Sequence, residues 1–316
     1  MQGESLLTAP VDACLWRAPT DNDRGGGPLS YNSQWRAAGL HCLSRTHGTG
    51  DSCVVSSSLT SDGFVVVETA WVLRPQEKVP AGGDIACTAT FVFMHEEGTV
   101  HITSNVESPS SLPPLPRAGI RMALAGSLSR VQWLGAGPHE AYDDRRSCAY
   151  TDAFDLPVEQ MHTPYVFPQE NGRRADPRWF SLRKVAAGAP GGGVVVVPFP
   201  PREAERADAV RGWGFSASRY SLEQLEAAAH DHELVPGDGI HVHIDSRSMG
   251  TGGFDSWSPN VEGEFLVRPN ASRTAFVTSV VMIPIANSNH CESADVYNYV
   301  KANILYAFEQ GGRLCP

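Results

Sequence analysis

Apolar side chains recur at every second position through most of the first third of this chain. Cys53–Leu59, Gly63–Leu73, Cys87–Met94 and Val100–Val106 alternate β-branched or aromatic residues with polar ones, and Gly, Pro and Asp turns separate them. Period two over short runs predicts an antiparallel β meander. The pattern resumes at Ile120–Leu124, Val131–Leu134, Arg178–Leu182, Gly193–Val197, Ile240–Asp245, Glu264–Val267 and Ala275–Ile283, and an earlier strand is expected at Leu6–Val11. Met161–Arg173 reads as a proline-bounded strand ending in a polar turn. Strands never alternate with helices in the βαβ manner, so a parallel sheet is not expected.

Helical signals are few. Ser33–Leu40 reads as a short helix stopped by Gly39. Ser221 and Gln224 form a capping box that opens a helix running to His230. The proline-rich stretch Leu112–Arg117 must be extended, and it reads as a crossover inside one sandwich because strands follow it at once. The predicted fold is therefore all-β, a large antiparallel β-sandwich with one or two short helices, over residues 1–284. Residues 285–316 change character and read as an appendage. Ser293–Phe308 has helical spacing, and Gly311-Gly312 ends it.

Composition narrows the function classes. With 316 residues the chain can bury a large core. A net charge of -10 lacks the basic footprint of a nucleic-acid binder. The N-terminus has no basic, then apolar, leader pattern, and the longest apolar run, Ala275–Ala286, is too short to span a bilayer. Seven scattered cysteines without a CxxC pair suit neither a disulfide framework nor a zinc site. A soluble, cytoplasmic protein without membrane or nucleic-acid partners is expected. Only three of the 25 basic residues are lysine, and arginine favours planar pairing with carboxylates.

Four polar, turn-rich stretches carry the candidate chemistry. Arg17–Pro28 is acidic and glycine-rich, with Asp21, Asn22, Asp23 and Gly25 near its start. It lacks the closing glutamate of a calcium loop, since Asn32 holds that position, so it reads as a surface turn or a hinged loop beside a site. Gly135–Arg146 contains His139, Glu140, Asp143 and Asp144, which suit either proton transfer or an Arg–carboxylate network that holds the loop. Met161–Arg173 adds His162 and Glu170. Met249–Asn260 holds three glycines, Asp255, Ser256 and one large aromatic, Trp257. The indole either plugs the end of the β core or serves as a flat platform for the apolar face of a sugar ring, and its own stretch leaves both open. His241 and His243 share one strand face, a weak zinc-like pair without an identifiable third ligand.

Taken together, Trp16-Arg17-Ala18-Pro19-Thr20-Asp21-Asn22-Asp23, Trp133-Leu134-Gly135-x-Gly137-Pro138-x-Glu140-x-Tyr142-x-Asp144-Arg145, Thr163 to Gly172 and Met249 to Pro259 resemble the C-terminal domain, or small chain, of the glycoside hydrolase family 2 β-galactosidases. The likeness runs in order over residues 1–284. It implies a galactose-mutarotase-like β-supersandwich. It further implies that Trp257 is lent to the active site as a stacking platform for β-galactosides such as lactose, and that the Asp21–Gly25 loop shifts as substrate moves deeper. In that family the acid/base and nucleophile are two glutamates on a TIM barrel, with magnesium and sodium on the same part. No catalytic residue and no metal ligand is thus expected in this chain. The resemblance implies a β-galactoside and a barrel-bearing domain or chain as partners, and leaves room for an oligomer.

The expected function is completion of a β-galactosidase that this chain cannot run alone. Retaining hydrolysis needs two carboxyl groups about 5–5.5 Å apart on a rigid scaffold, and the sequence has no (β/α)₈ pattern to hold them. A stand-alone carbohydrate-binding or scaffold module is the second reading. The third is an aldose 1-epimerase, which would require one of His139, His162 or His243 to face Glu140 or Glu170.

Overall fold

The structure is a computed structural model that describes residues 5–46, 54–61, 63–79, 83–94, 98–186, 189–199, 212–255, 257–269 and 275–285. It is all-β, with every strand pairing antiparallel, as the period-two pattern predicts. One sheet has five strands: β1 (Leu7–Cys14), β7 (Arg117–Leu124), β14 (Ile240–Ser248), β13 (Gly214–Ser218) and β10 (Arg174–Ala175), in that spatial order. The other has ten. Its order is β2 (Leu43–Thr46), β4 (Val65–Pro75), β5 (Ile85–Phe93), β6 (Val100–Glu107), β15 (Phe276–Ile285), β12 (Ala189–Pro198), β11 (Trp179–Ala186), β8 (Arg130–Gly137) and β9 (Tyr150–Pro157), and β3 (Val54–Leu59) also pairs β4.

The faces of the two sheets follow from register. Phe180 pairs Trp133 on one side and Val196 on the other, so all three side chains stand on the same face of the large sheet. Opposite them, Ile120, Phe215, Val242 and Ile244 project from the small sheet into the same core. Phe180 and Phe215 stack across the gap with ring centroids 4.1 Å apart. A second core lies beyond the small sheet's edge, where Trp16, Trp35 and Leu115 cover Trp71, Leu73 and Ile85 of β4 and β5. Each fully buried side chain of this kind contributes about 1.5–3 kcal/mol by leaving water, so this second core is part of the fold's stability. The proline-rich stretch does cross between layers, from β6 in the large sheet to β7 in the small one.

Several local expectations need correction. The described residues form three short α-helices: α1 (Asp21–Arg24), α2 (Tyr31–Ala37) and α3 (Leu222–Ala227). α1 was concealed by the glycines that follow it, and it forms because Thr20 and Asp23 cap each other reciprocally. α3 stops three residues before His230, because the Glu233 carboxylate takes the N–H groups of Ala229 and His230. Glu264–Val267 is no strand: a 3-10 turn occupies Gly263–Phe265, and Val267 makes one bridge to Leu115. Met161–Arg173 is irregular, with Pro164 and Pro168 unable to donate to a ladder. The predicted helix at 293–308, nearly all of the 285–316 appendage, and Cys53, Cys291 and Cys315 lie outside the described residues. Cys14, Cys42, Cys87 and Cys148 are free thiols.

Candidate functional site

The four polar stretches converge at one end of the sandwich, and a buried guanidinium ties two of them together. Arg17 grips Asp23 with two hydrogen bonds of 2.9 and 2.7 Å, both side chains being at most 1% exposed. Its remaining N–H groups donate to the carbonyls of Met249 and Gly250 at 2.9 and 3.0 Å. Burial disfavours the guanidinium charge, yet the adjacent Asp23 more than compensates and raises the Arg17 pKa. The Asp21–Gly25 segment is thus a pinned helical turn, with its Asp23 in the interior. It is not the solvated surface turn that composition alone suggests.

A carboxylate from the Gly135–Arg146 stretch sets the next turn. Asp144 accepts the N–H groups of Thr251 and Gly252 at 2.9 and 2.7 Å, and Asn22 Nδ2 donates to the Thr251 carbonyl at 2.9 Å. Gly252 and Gly253 have φ of 66° and 73°, the left-handed region that glycine enters without steric cost. A side chain at Gly253 would also run into the Asn22 amide. Downstream, Asp255 Oδ1 accepts the N–H groups of Trp257 and Ser258 at 2.7 and 2.6 Å and closes an Asx turn. Pro259 packs on Gly25, so the loop's exit also rests on α1. The Met161–Arg173 stretch joins through Gln169, whose Oε1 accepts the Asp21 N–H at 2.9 Å.

On this frame Trp257 is 94% exposed, which excludes the core-plug reading. Its backbone is held by Asp255 while its indole stands in solvent. Phe254, Leu29 and Val166, from the same loops, are also exposed large apolar side chains. Scattered exposed apolar residues are ordinary; these four lie on loops that are hydrogen-bonded to one another. Ser256 lies outside the described residues.

The carboxylates and histidines divide differently from the proton-transfer reading. Glu140 receives hydrogen bonds from Tyr165, from Thr163 Oγ1 at 3.1 Å and from the Gly172 N–H at 2.8 Å, and pairs with Arg145. Burial works against its ionisation, but these donors outweigh it and hold its pKa below the ordinary carboxylate range. It is a structural anion that fastens the Thr163–Gly172 loop. Glu170 is buried against Arg117 at 2.6 Å, and His139 is exposed. His162 Nε2 lies 3.0 Å from Asp231, and His243 is buried with its Nδ1 3.5 Å from Ser216 Oγ. Among the described residues no hydrogen bond joins these histidines to Glu140 or Glu170, so the facing pair that an epimerase requires is not assembled. The same residues contain no group of three or more His, Cys, Asp or Glu side chains able to hold a metal ion. None of their helices is long and apolar enough to cross a membrane.

Sequence reasoning missed the role of Arg17, and with it Arg117 and Arg173. All three are fully buried and hold carboxylates or carbonyls near this end of the sandwich. The one signal that pointed to them was the near absence of lysine.

Comparison with known proteins bears on most of the chain. The family model for the β-galactosidase small chain matches residues 1–279. A β-galactosidase from Enterobacter cloacae is 33% identical over 87% of this chain, and one from Vibrio cholerae is 34% identical over 84%. A third, from Pseudoalteromonas haloplanktis, is 31% identical over 83%. The chain spans only 24%, 23% and 23% of these relatives' own lengths. Among solved structures, an α-N-acetylgalactosaminidase from Bifidobacterium bifidum aligns with 85% of the chain at 14% identity and a TM-score of 0.40.

Proposed function

Because the chain belongs to the β-galactosidase small-chain family, we propose that it completes the sugar site of a β-galactosidase whose catalytic glutamates lie on a separate (β/α)₈ part. The observation that carries this reading is Trp257, an indole almost wholly in solvent on a loop fixed by Arg17, Asp144, Asn22 and Asp255. A flat ring standing clear of the protein suits the apolar face of a pyranose, and the order in its loop backbone lowers the entropy lost when a sugar is bound. Leu29, Val166 and Phe254, exposed on the same bound loops, supply apolar contacts for the barrel part. Glu140 and Glu170 are both engaged structurally, which supports placing the acid/base and the nucleophile elsewhere, together with the magnesium and sodium of the family.

The test is reconstitution. The purified chain is assayed for hydrolysis of a chromogenic β-galactoside alone and with a separately produced barrel part from one of the relatives. Neither component alone is expected to turn over, the mixture is, and Trp257→Ala in the mixture raises KM by roughly two- to twelvefold, the loss of one stacking contact of about 0.5–1.5 kcal/mol. Vigorous hydrolysis by the isolated chain would overturn the proposal. Galactoside binding by the isolated chain that weakens in Trp257→Ala, with no complementation, would favour a stand-alone binding module.

A further inference from the structure

A second set of charged side chains adjoins the Arg17–Asp23 pair, and it is bonded less completely. Arg117 opens β7, Asp245 stands on β14, and Asp143, Glu170 and Arg173 come from two of the polar stretches. Asp245 pairs with Gly119 in the small sheet. Glycine is needed there, because a Cβ would meet Asp245 Oδ1 and the Ile244 carbonyl. The side chains of Arg117, Glu170, Arg173 and Asp245 are each at most 3% exposed.

Their hydrogen bonds are unequally filled. Arg117 Nη2 donates to Glu170 at 2.6 Å, and Arg173 donates to the carbonyls of Ala141 and Gly212 at 3.0 and 2.8 Å. Among the described residues, nothing pairs with Arg117 Nε, Arg117 Nη1 or Asp245 Oδ1. Arg117 Nε is 3.7 Å from Asp245 Oδ2, which is beyond a direct bond. The charges acting on Asp245 come from Arg117, Arg173, Glu170 and Asp143, so the open donors and the open acceptor belong to one enclosed cluster. Buried polar groups are nearly always paired, with protein or with ordered water.

The open positions select what fills them. Arg117 offers N–H donors and Asp245 an acceptor, so the missing species must both accept and donate. A halide only accepts. Arg117 and Arg173 already balance Glu170 and Asp143, so a halide would also bury unpaired charge. A metal cation takes only acceptors and would face a guanidinium. We propose that a water molecule is a fixed member of this cluster, bridging the Arg117 guanidinium to the Asp245 carboxyl. Buried water of this kind is part of a fold, held by about three hydrogen bonds. Here it steadies Arg117 on Glu170, whose own N–H bonds the Ala18 carbonyl at 2.9 Å. The water thereby helps to seat the Met161–Arg173 stretch against the loop that begins at Arg17.

The probe is water itself, read on the full chain by nitrogen-edited rotating-frame Overhauser spectroscopy at the arginine Nε–H resonances. Mildly alkaline pH keeps Asp245 ionised, so its carboxyl cannot relay the signal. Arg117 Nε–H should show a dipolar cross-peak to a long-lived water. Arg17 Nε–H, equally buried but bonded to Asp23 at 2.9 Å, should show none. Asp245→Leu should abolish the Arg117 peak, whereas Asp245→Asn, which still offers an acceptor, should keep it. Tyr142→Phe should keep it too, because the signal does not pass through that hydroxyl. Should Asp245→Leu fail to fold, the native chain still decides. An Arg117 Nε–H as silent as that of Arg17 overturns the proposal, as does a peak unchanged in Asp245→Leu or lost in Tyr142→Phe. A peak that bromide displaces would place an anion there and also overturn it.

Discussion

Asp23→Asn is the perturbation with the largest consequence for the frame under Trp257. The substitution is nearly isosteric, so packing around the site is preserved and the change is electrical. In the native chain the Asp23 carboxylate accepts two bonds from Arg17 and the Thr20 N–H at 2.8 Å. An asparagine offers one acceptor oxygen where two are used, and its amide hydrogens would face donors. Arg17, with 0% of its side chain exposed, would keep its charge without a counter-charge. Breaking a buried pair in this way costs about 3–5 kcal/mol. For a body of this size each kcal/mol lowers the thermal midpoint by about 2–4 °C, so a fall of roughly 6–20 °C is expected by circular dichroism or calorimetry. Arg74→Ala, which breaks an exposed pair with Asp84, should leave the midpoint unchanged and serves as the control. A double change, Arg17→Met with Asp23→Leu, should regain only part of the loss, since the Met249 and Gly250 carbonyls would still lack their donors. A midpoint shift below about 2 °C in Asp23→Asn would refute the reasoning, because it would mean that water reaches the pair.

Two further outcomes follow from the same geometry. Burial pushes the Asp245 carboxyl up to about 6 from 3.8, despite the opposing pull of Arg117 and Arg173. The native state therefore keeps a proton that the unfolded chain has released, so stability falls as pH rises from about 4 to 6, by up to about 3 kcal/mol, and this contribution is flat above that window. Urea midpoints across that range should show this slope in the parent and not in Asp245→Asn; equal slopes in both would contradict the assignment. Gly253→Ala combines a positive φ with a collision at Asn22 and should cost about 2–3 kcal/mol, from left-handed backbone strain and loss of the Asn22–Thr251 bond. Unchanged stability with native amide protection at Thr251 would show that the turn is not held as described.

What the sequence determined by itself is the class of fold and the family. Alternation in β4, β5 and β6 specifies half-buried antiparallel strands because side chains on a strand alternate faces, whatever the neighbours. The four motifs identified the family before any coordinate, since turn residues such as Gly252 and Asp255 are chosen for local backbone geometry. The fate of each polar residue was not local. Asp23 and Asp21 are two positions apart in one acidic loop, yet one is walled in with Arg17 and the other is exposed. Glu140 and Asp144 looked alike, each suited to proton transfer or to holding its loop, and contacts with Tyr165 and with the Gly252 N–H, 25 and 108 residues away in sequence, made both into anchors. The stretch around Trp257 left core plug and solvent-facing platform both open, with large aromatics more often buried. Only the convergence of four distant loops decided that its backbone is tethered and its ring left outside, because burial and pairing are properties of what the chain brings together from afar.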